Sequence, residues 1–503
     1  MAARILRPLN KGEFDYWRAQ HLLNRAGFGG TPSQVRALAN MGLESAVNYI
    51  IDADEVETEP IEADRFDADI MRPLTRQQRL EFRVARENGD EATLERYRRE
   101  RQRRQGADRR QIAELQRWWL KRMIETPRPL QEKMTLFWHG HFATGYRTIE
   151  DSYHMFQQNQ LFRNHALGNF RRLTHAIIRD PAMIRYLDNN QNRKQSPNEN
   201  LARELMELFT LGEGNDYTET DIKQGARALT GYTYNDDEFI RHGSRQYQRL
   251  HDDSVKQILG KTGNWDGDDF VDIILSRDVC SEFICWKIYR FFVNDMPGEP
   301  TQAGQEFVLE LAKLFRSKDF DLKPILRTIF ESRHFYEPDN VCSQIKSPVQ
   351  LVVQAIRSLR TPPRSLRALL SATDLMGQNI LFPPSVKGWE GGRTWINTAT
   401  MFVRQNILVY LLTGQRPGVY PWQIDQSQYD AAPLLDHFDK PLGDIDASEA
   451  VKYLVWFNLG RKPHERRIAA LNSHVQSRGG RLNEKILIEL LALITAMPEY
   501  QLC

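Results

Sequence analysis

Two closely spaced histidines and two glutamates are the residues of this sequence whose types and spacing could do chemistry together. His139 and His141 flank a single glycine, and Glu204 and Glu207 lie three residues apart further along the chain. Neutral imidazole nitrogens and carboxylate oxygens bind divalent metals, and the same groups act as general acids and bases. The sequence therefore predicts a metal centre or an acid–base site, and it does not specify the reaction.

The two glutamates belong to a segment whose pattern predicts a helix over 197–211. Ser196–Glu199 fits a capping box with proline at the first helical position, which predicts where this helix begins. At about 100° per residue, Glu204 and Glu207 point the same way, away from the apolar face that contains Phe209. Two interpretations stay open. The carboxylates share a site as ligands or as an acid–base pair, or they form a solvated face on which Arg203 pairs with Glu199.

The histidines are positioned by a second predicted helix, which begins at Pro129 and stops at Gly140. Two imidazoles at a helix end can converge on one ion, so His139, His141, Glu204 and Glu207 are the predicted ligands of a divalent metal. A mixed set of this kind suits zinc, manganese or iron. The alternative is structural, because an imidazolium near a helix C-terminus is favourable and aromatic neighbours bury it.

Further candidates lie in predicted loops. His251 and Asp252 could form an oriented base or a third ligand with Lys256 as an anion contact, or all three could make only local turn bonds. Trp389 and Trp395 flank glycines in a segment that could stack a sugar or an aromatic ligand, or could simply be packed. The predicted catalytic residues are Glu204, His251 and Asp252. The predicted substrate contacts are Arg25, Arg203, Lys256, Trp389 and Trp395.

Helical periodicity runs through most of the chain and predicts a mainly α, large multi-helix fold. Strand-like alternation is confined to 230–262, which predicts a minor β hairpin or small sheet there. The charged segment 76–124 predicts a projecting helical arm with a turn at Gly106–Asp108. Three regions are expected, namely an N-terminal helical segment with the arm (1–125), a central helical core that carries the motif residues (126–340) and a C-terminal helical region (341–503).

Composition narrows the function classes. The net charge is only +2, and glutamates interleave with the arginines of the arm, so nucleic acid is not an expected partner. The four cysteines are irregularly spaced and predict reduced thiols, not a disulfide framework. No apolar stretch is long enough to span a membrane and no signal peptide is visible. Cytoplasmic is the expected location, and periplasmic export by a route that the sequence does not show stays open.

The sequence resembles the bacterial domain of unknown function 1800 family across nearly the whole chain, because it contains long motifs of that family in the same order. The segments that carry the resemblance are His21–Gly29, Phe137–Phe142, Arg163–Gly168, Pro197–Gly212, Ala228–Gly231, His251–Asp252, Val386–Trp389, Trp395–Thr398 and Met497–Gln501. The resemblance supplies no catalytic residue, because the family is named for lacking an activity. It implies a partner from the domain of unknown function 1501 family, whose members look related to alkaline phosphatases and sulfatases and are often encoded nearby. Many relatives carry export signals, which this chain does not show.

The leading hypothesis is a metal-dependent enzyme that hydrolyses its substrate through an activated water. Oxidation at two irons ranks lower, because the Glu-x-x-His pairs of helical di-iron proteins occur here only as Glu331–His334. Two other hypotheses remain. One is a non-catalytic helical binding or assembly protein whose polar motif residues form a buried network. The other is a metal-free acid–base enzyme that uses Glu204 with His251.

Overall fold

The computed structural model describes residues 5–52, 65–235, 238–240, 244–295 and 301–503. Helices dominate these ranges, so the predicted mainly α class is confirmed. The α-helices are α1 Tyr16–Ala26, α2 Pro32–Met41, α3 Leu43–Ile51, α4 Arg76–Asn88, α5 Glu91–Glu125, α6 Pro129–His141, α7 Tyr146–Ile149, α8 Ser152–Asn164, α9 Phe170–Ile177, α10 Pro181–Tyr186, α11 Asn200–Glu204, α12 Glu219–Ala228, α13 Arg245–Leu250, α14 Gly267–Leu275, α15 Asp278–Phe292, α16 Gln302–Ser317, α17 Leu322–Glu331, α18 Pro348–Leu359, α19 Leu366–Leu375, α20 Thr398–Thr413, α21 Ala447–Leu459, α22 Glu465–Ser477 and α23 Glu484–Thr495.

Shorter helical elements punctuate the connections. A π-helical segment, Leu205–Thr210, continues directly from α11. The 3₁₀ turns are Lys11–Glu13, Asn189–Gln191, His334–Tyr336, Gly392–Trp395, Ala432–Phe438, Leu442–Asp444 and Pro498–Gln501. Within the ranges given above, no helix is both long enough and apolar enough to cross a membrane.

The predicted minor β structure near 230–262 is confirmed as two small antiparallel pairs in the described residues. Strand β1 (Tyr234–Asn235) pairs with β2 (Glu238–Phe239), and β3 (Lys256–Ile258) pairs with β4 (Lys261–Gly263). These strands are too short to form a layer of their own. The two pairs are separate sheets of two strands each.

The predicted arm is present as α4 and α5, but its turn lies elsewhere than predicted. Gly89 ends α4 in the left-handed conformation, and the Asp90 side chain caps the start of α5. Gly106 lies inside α5, where one glycine costs only about 1 kcal/mol of helix stability. Asp108 is not a cap. Its carboxylate accepts hydrogen bonds from the Tyr146 hydroxyl (2.6 Å) and the Ser152 amide (2.8 Å), which fastens α5 to the body of the protein.

The interior consists of two hydrophobic clusters that meet at α6. Phe137 belongs to the cluster built mainly from residues up to 336, and the adjacent Leu136 belongs to the cluster that contains α18 to α23. Helix α6 is also held by a buried ion cluster, in which Glu132 is fully buried and accepts from Arg163 (2.7 Å) and Arg122 (2.5 Å). Burial raises the pKa of Glu132, but the two guanidinium groups outweigh it and leave the pKa below its ordinary value. The division into three regions stays a prediction.

Candidate functional site

The C-terminal turn of α6 packs against the loop that precedes α20, and two glycines make the contact. Gly388 has φ +72°, and a Cβ on it would overlap the carbonyl oxygen of Gly140. Glycine is needed at this position for both the left-handed backbone and the close approach. The contact places Trp389 beside His139, with 5.5 Å between the ring centroids.

His139 serves this loop as a hydrogen-bond acceptor. Its Nε2 atom accepts from the backbone amide of Leu381 (3.0 Å), a buried residue with a left-handed φ of +68°. The imidazole is buried, and burial lowers the pKa of His139 to about 3, so the ring is neutral. The lone pair that a metal would need at Nε2 is therefore already used inside the protein.

His141 has the opposite arrangement of its two nitrogens. Its Nε2 lies 2.9 Å from the carbonyl oxygen of Phe209, so Nε2–H donates and Nδ1 carries the lone pair. That Nδ1 atom is buried without a hydrogen-bond partner in the described part of the chain. Burial, reinforced by Lys287, lowers the pKa of His141 to about 3. An orphaned acceptor in a side chain that lines a cavity is a feature that a ligand can satisfy.

The helix of the two glutamates departs from the prediction in two ways. It begins at Asn200, where the Asn198 side chain accepts from the Asn200 amide (2.9 Å), and Ser196 takes part in the preceding turn instead of a capping box. After Glu204 the helix widens into the π-helical segment, in which Leu211 N–H donates to the Met206 carbonyl five residues back (2.9 Å). Such π segments are frequent at functional sites. Here the segment presents the Phe209 carbonyl to His141.

Glu204 and Glu207 do lie near each other, as predicted, but Arg203 takes up Glu207. The Arg203 guanidinium donates to Glu207 and to Glu199 (3.2 Å each). It also donates to both carboxylate oxygens of Glu219 (2.8 Å each). The alternative ion pair with Glu199 is thus observed, and the guanidinium fork is occupied by protein carboxylates. Glu204 is partly buried. Burial and the neighbouring Glu207 raise the pKa of Glu204, against a smaller opposite effect of Arg203 and Lys387.

His251, Asp252 and Lys256 form a separate group next to α12. His251 Nδ1 donates to the Thr230 carbonyl (2.8 Å), and Asp252 accepts from Arg227 (2.7 Å). Burial raises the pKa of Asp252, but the bonds from Arg227 and Ser254 outweigh it and leave the pKa well below its ordinary value. Lys256 is buried and donates to the carbonyl oxygens of Asp252 and Ser254. Only the Lys256 bonds are local turn bonds, whereas His251 and Asp252 bond to groups at the end of α12 and just beyond it.

Arg25 is likewise committed to the protein. Its buried guanidinium donates to the carbonyl oxygens of Val293 and Asn340 and lies 3.9 Å from the sulfur of Cys503. Arg25 is therefore not among the residues that line the cleft beside α6.

A cleft of about 210 Å³ opens beside the end of α6. His141, Trp389 and Trp395 line it, so the structure brings these three predicted residues together, whereas Glu204 reaches it only through the charge of Lys387. Its lining is strongly basic, since five cationic side chains face two acidic ones, Asp295 and Glu390. The cations are Lys133, Lys287, Arg290, Lys346 and Lys387.

The predicted metal centre does not appear as a group of ligands among the residues that the structure describes. Across the described ranges, no three histidine, cysteine, aspartate or glutamate side chains come together in a way that could hold a metal ion. Of the four predicted ligands, His139 and His141 each use Nε2 within the protein, and Glu207 is paired with Arg203. Metal binding stays a prediction from the sequence.

Comparison with known protein families places the chain. A model of the family described as "Protein of unknown function (DUF1800)" matches residues 21–502. The chain belongs to the DUF1800 family. No match was found among curated proteins or solved structures. Membership confirms the resemblance seen in the motifs, and it assigns no activity, because the family's description contains none.

The basic residues of the cleft are what sequence reasoning missed in this DUF1800 chain. In the sequence, Lys133 has the apolar neighbours Leu130, Met134 and Phe137 at helical spacing. Lys287 has Ile284 and Ile288 in the same way. A single lysine among apolar positions of a helix was the available signal, because buried lysines are rare unless they have a partner or a function. What the sequence could not show is that α6, α15 and two loops bring these lysines to one place.

Proposed function

We propose that this protein binds a small organic anion in the basic cleft. The observation that carries the proposal is the convergence of five cationic side chains on one cavity of about 210 Å³. Like charges in a partly desolvated cavity repel one another, and an anionic ligand relieves that repulsion. A volume of this size suits a ligand no larger than a sugar acid or an aromatic acid.

Part of the positive charge of the cleft has no ion pair among the described residues. Lys387 pairs with Glu213 (2.6 Å) at the exposed rim. Lys287 and Arg290, on α15, form no ion pair with a carboxylate of the described chain. Burial lowers the pKa of Lys287, Arg290 and Lys387 lower it further, and Glu213 opposes them. Two unpaired cations one helical turn apart are well placed to bind a carboxylate or a phosphate.

The other walls of the cleft indicate the rest of the ligand. Half-buried Trp389 and the rings of Phe137 and Phe291 supply apolar surface. The bare Nδ1 of His141 accepts a hydrogen bond and cannot donate one while Nε2–H is held by Phe209. The ligand is therefore an acid that also carries an apolar or ring surface and a hydroxyl or amino donor.

Calorimetric titration with a panel of acids tests this proposal. The probes are glucuronate, citrate, 4-hydroxybenzoate, phosphate and sulfate. We expect at least one to bind, with affinity lowered about tenfold by Lys287→Met or Arg290→Met, since each removes a charged hydrogen bond. Lys313→Met is the matched control, because Lys313 is exposed and paired with Glu310. Binding by no probe, or equal weakening by the control, would contradict the proposal.

The sequence hypotheses further propose that the protein hydrolyses the bound acid. The environment of Glu204 supports the version of this hypothesis that needs no metal. The raised pKa of Glu204 favours a carboxyl group that can exchange a proton near the rim, beside Lys387. Screening of ester, phosphate, sulfate and glycoside substrates with wild type and Glu204→Gln tests this candidate. Loss of turnover in the variant with unchanged anion affinity is the expected result. Elemental analysis of wild type, His139→Ala and Glu204→Ala tests the metal-dependent form separately.

Location and partner follow from the same sequence hypotheses. All four cysteines are free and buried, which supports a reducing compartment such as the cytoplasm. A protein of the domain of unknown function 1501 family is the proposed partner. Co-purification of the two proteins after joint expression is the measurement that checks it.

A further inference from the structure

Lys133 is the most unusual cation of the cleft. It lies on α6, is only 7% exposed and lines the cavity. Its Nζ donates to the side-chain oxygen of Gln350, and it lies 5.1 Å and 5.5 Å from the ring centroids of Phe28 and Phe291. No carboxylate of the described chain forms an ion pair with it.

The acceptor of Lys133 is fixed by its own network. The amide nitrogen of Gln350 donates to the Gln354 side chain (2.9 Å) and to the Asn24 carbonyl (3.2 Å), which turns the Gln350 oxygen toward Lys133. An ammonium group has three protons to donate, and among the described residues one acceptor, the Gln350 oxygen, bonds Lys133. Lys133 is therefore held at one point, beside two rings and in the lining of the cavity.

Lys346 is the second buried lysine of the same cleft. Its Nζ donates to the Tyr500 carbonyl (2.7 Å) and lies 4.0 Å from the Tyr500 ring centroid. Its contacts are of the same kind as those of Lys133, namely an oxygen acceptor and an aromatic ring. Burial lowers the pKa of Lys346 to about 8 and that of Lys133 to about 7, where Cys503 opposes the fall and Arg25 adds to it. At neutral pH, a large share of Lys133 is the nucleophilic amine.

We propose that Lys133 forms an imine with a carbonyl group of the bound acid, so that the ligand of the cleft is an aldehyde or ketone acid. This inference rests on the proposed function, because the remaining cations hold the acid group. The amine lone pair attacks the carbonyl carbon while the C=O π bond breaks, and one proton passes from the nitrogen to the oxygen to give a carbinolamine. The hydroxyl group then leaves as water with the one proton that remains on the nitrogen, and a C=N bond forms. Amine plus carbonyl gives imine plus water, with no oxidant or reductant.

Reductive trapping on the full chain tests the proposal. Glyoxylate is the anionic aldehyde probe, propionaldehyde is its neutral counterpart, and cyanoborohydride reduces any imine to a stable secondary amine. We expect peptide mapping to find Lys133 modified by glyoxylate about a hundredfold faster than exposed lysines, because those are almost entirely protonated. Propionaldehyde should show a smaller preference, since it gains from the unprotonated amine of Lys133 but lacks the charge that the cleft attracts.

Two variants locate the reaction. Lys133→Arg keeps the positive charge but cannot form an imine, and Lys346→Arg is the matched change at the second buried lysine. The fast adduct should disappear only in Lys133→Arg. A fast adduct on Lys346, or labelling spread evenly over surface lysines of the wild type, would overturn the assignment. The wild-type map decides even if a variant fails to fold. Anion binding by calorimetry without a Lys133 adduct would sink this inference and leave the proposed function standing, whereas absence of anion binding would sink both.

Discussion

His139 and His141 occupy the same turn of α6 and yet have opposite tautomers. His139 accepts at Nε2 from Leu381, whereas His141 donates from Nε2 to Phe209 and leaves Nδ1 bare. The sequence showed two imidazoles that could share an ion, but it could not show which nitrogen each one exposes. That choice is made by backbone groups distant in sequence, one in a loop and one in the π-helical segment. His139 therefore supports the backbone of the loop, and His141 keeps a buried nitrogen without a hydrogen-bond partner among the described residues.

Replacement of His139 should reveal this structural part. His139→Leu leaves the buried Leu381 amide without an acceptor, so we expect it to lower the free energy of unfolding by about 1–3 kcal/mol. His139→Gln offers a side-chain oxygen to the same amide and should recover part of the loss. Urea unfolding of the three proteins measures the difference. Equal losses in both variants would mean that the hydrogen bond to Leu381 contributes nothing.

The lowered pKa values of both histidines predict how the stability of the protein depends on pH. In the unfolded chain each imidazole takes up a proton near its ordinary pKa of 6.5, whereas burial keeps each neutral in the folded protein down to about 3. The unfolded state therefore binds more protons in this window, and stability falls as the pH falls from 6.5 toward 3. Between pH 7 and 5 each histidine should account for up to about 2 kcal/mol.

Variants separate these histidines from the other titrating groups. Urea unfolding at pH 7 and pH 5 should show a smaller loss of stability for His139→Gln, and again for His141→Gln, than for the wild type. Carboxylates that titrate in the same range are shared by all three proteins, so their contribution cancels in the comparison. An unchanged pH dependence in both variants would show that these imidazoles are charged in the folded state.

At the scale of elements, helical periodicity predicted the mainly α fold correctly, and local sequence signals failed where a tertiary contact decides. Gly106 was predicted as a turn, but α5 continues through it because Asp108 is bonded to the body of the protein. Ser196 was predicted as a cap, but the helix begins later, after Glu199, and the Asn198 side chain accepts from its first amide. The π-helical widening after Glu204 has no signature in residue spacing. It is recognised only once the Phe209 carbonyl is seen to meet His141.

The contact between α6 and the Gly388 loop can be tested at a single atom. Gly388→Ala adds a methyl group that overlaps the Gly140 carbonyl oxygen, in addition to the strain of a left-handed backbone. Gly89→Ala is the matched control, since Gly89 has φ +66° with open space around its Cβ position. Strain alone costs about 1 kcal/mol. We expect Gly388→Ala to be clearly more destabilising in thermal unfolding and to weaken anion binding, because Trp389 moves with the loop. Similar losses in both variants would contradict the close contact.

At the scale of the whole molecule, the cleft exists because distant parts of the chain converge. Lys133 comes from α6, Lys287 and Arg290 from α15, Lys346 from the segment before α18 and Lys387 from the Gly388 loop. A lysine among apolar helix positions marks Lys133 and Lys287 in the sequence, but the sequence could not show that these segments meet at one site. The two hydrophobic clusters do the assembly, and α6 contributes to both of them.

A ligand in the cleft should therefore stabilise the molecule as one unit. Leu136 and Phe137 anchor α6 in the two clusters, and Tyr186 packs against both, so neither cluster can open without disturbing the cleft. We expect the whole calorimetric transition to move to higher temperature with the best-binding acid. At a hundred times its Kd, the acid should add about 2.7 kcal/mol to the free energy of unfolding. With a Kd about tenfold weaker, Lys287→Met should lose about half of this stabilisation, and Lys313→Met should retain it. Two transitions, of which only one moved with the acid, would show that the clusters unfold separately and that the cleft belongs to one of them alone.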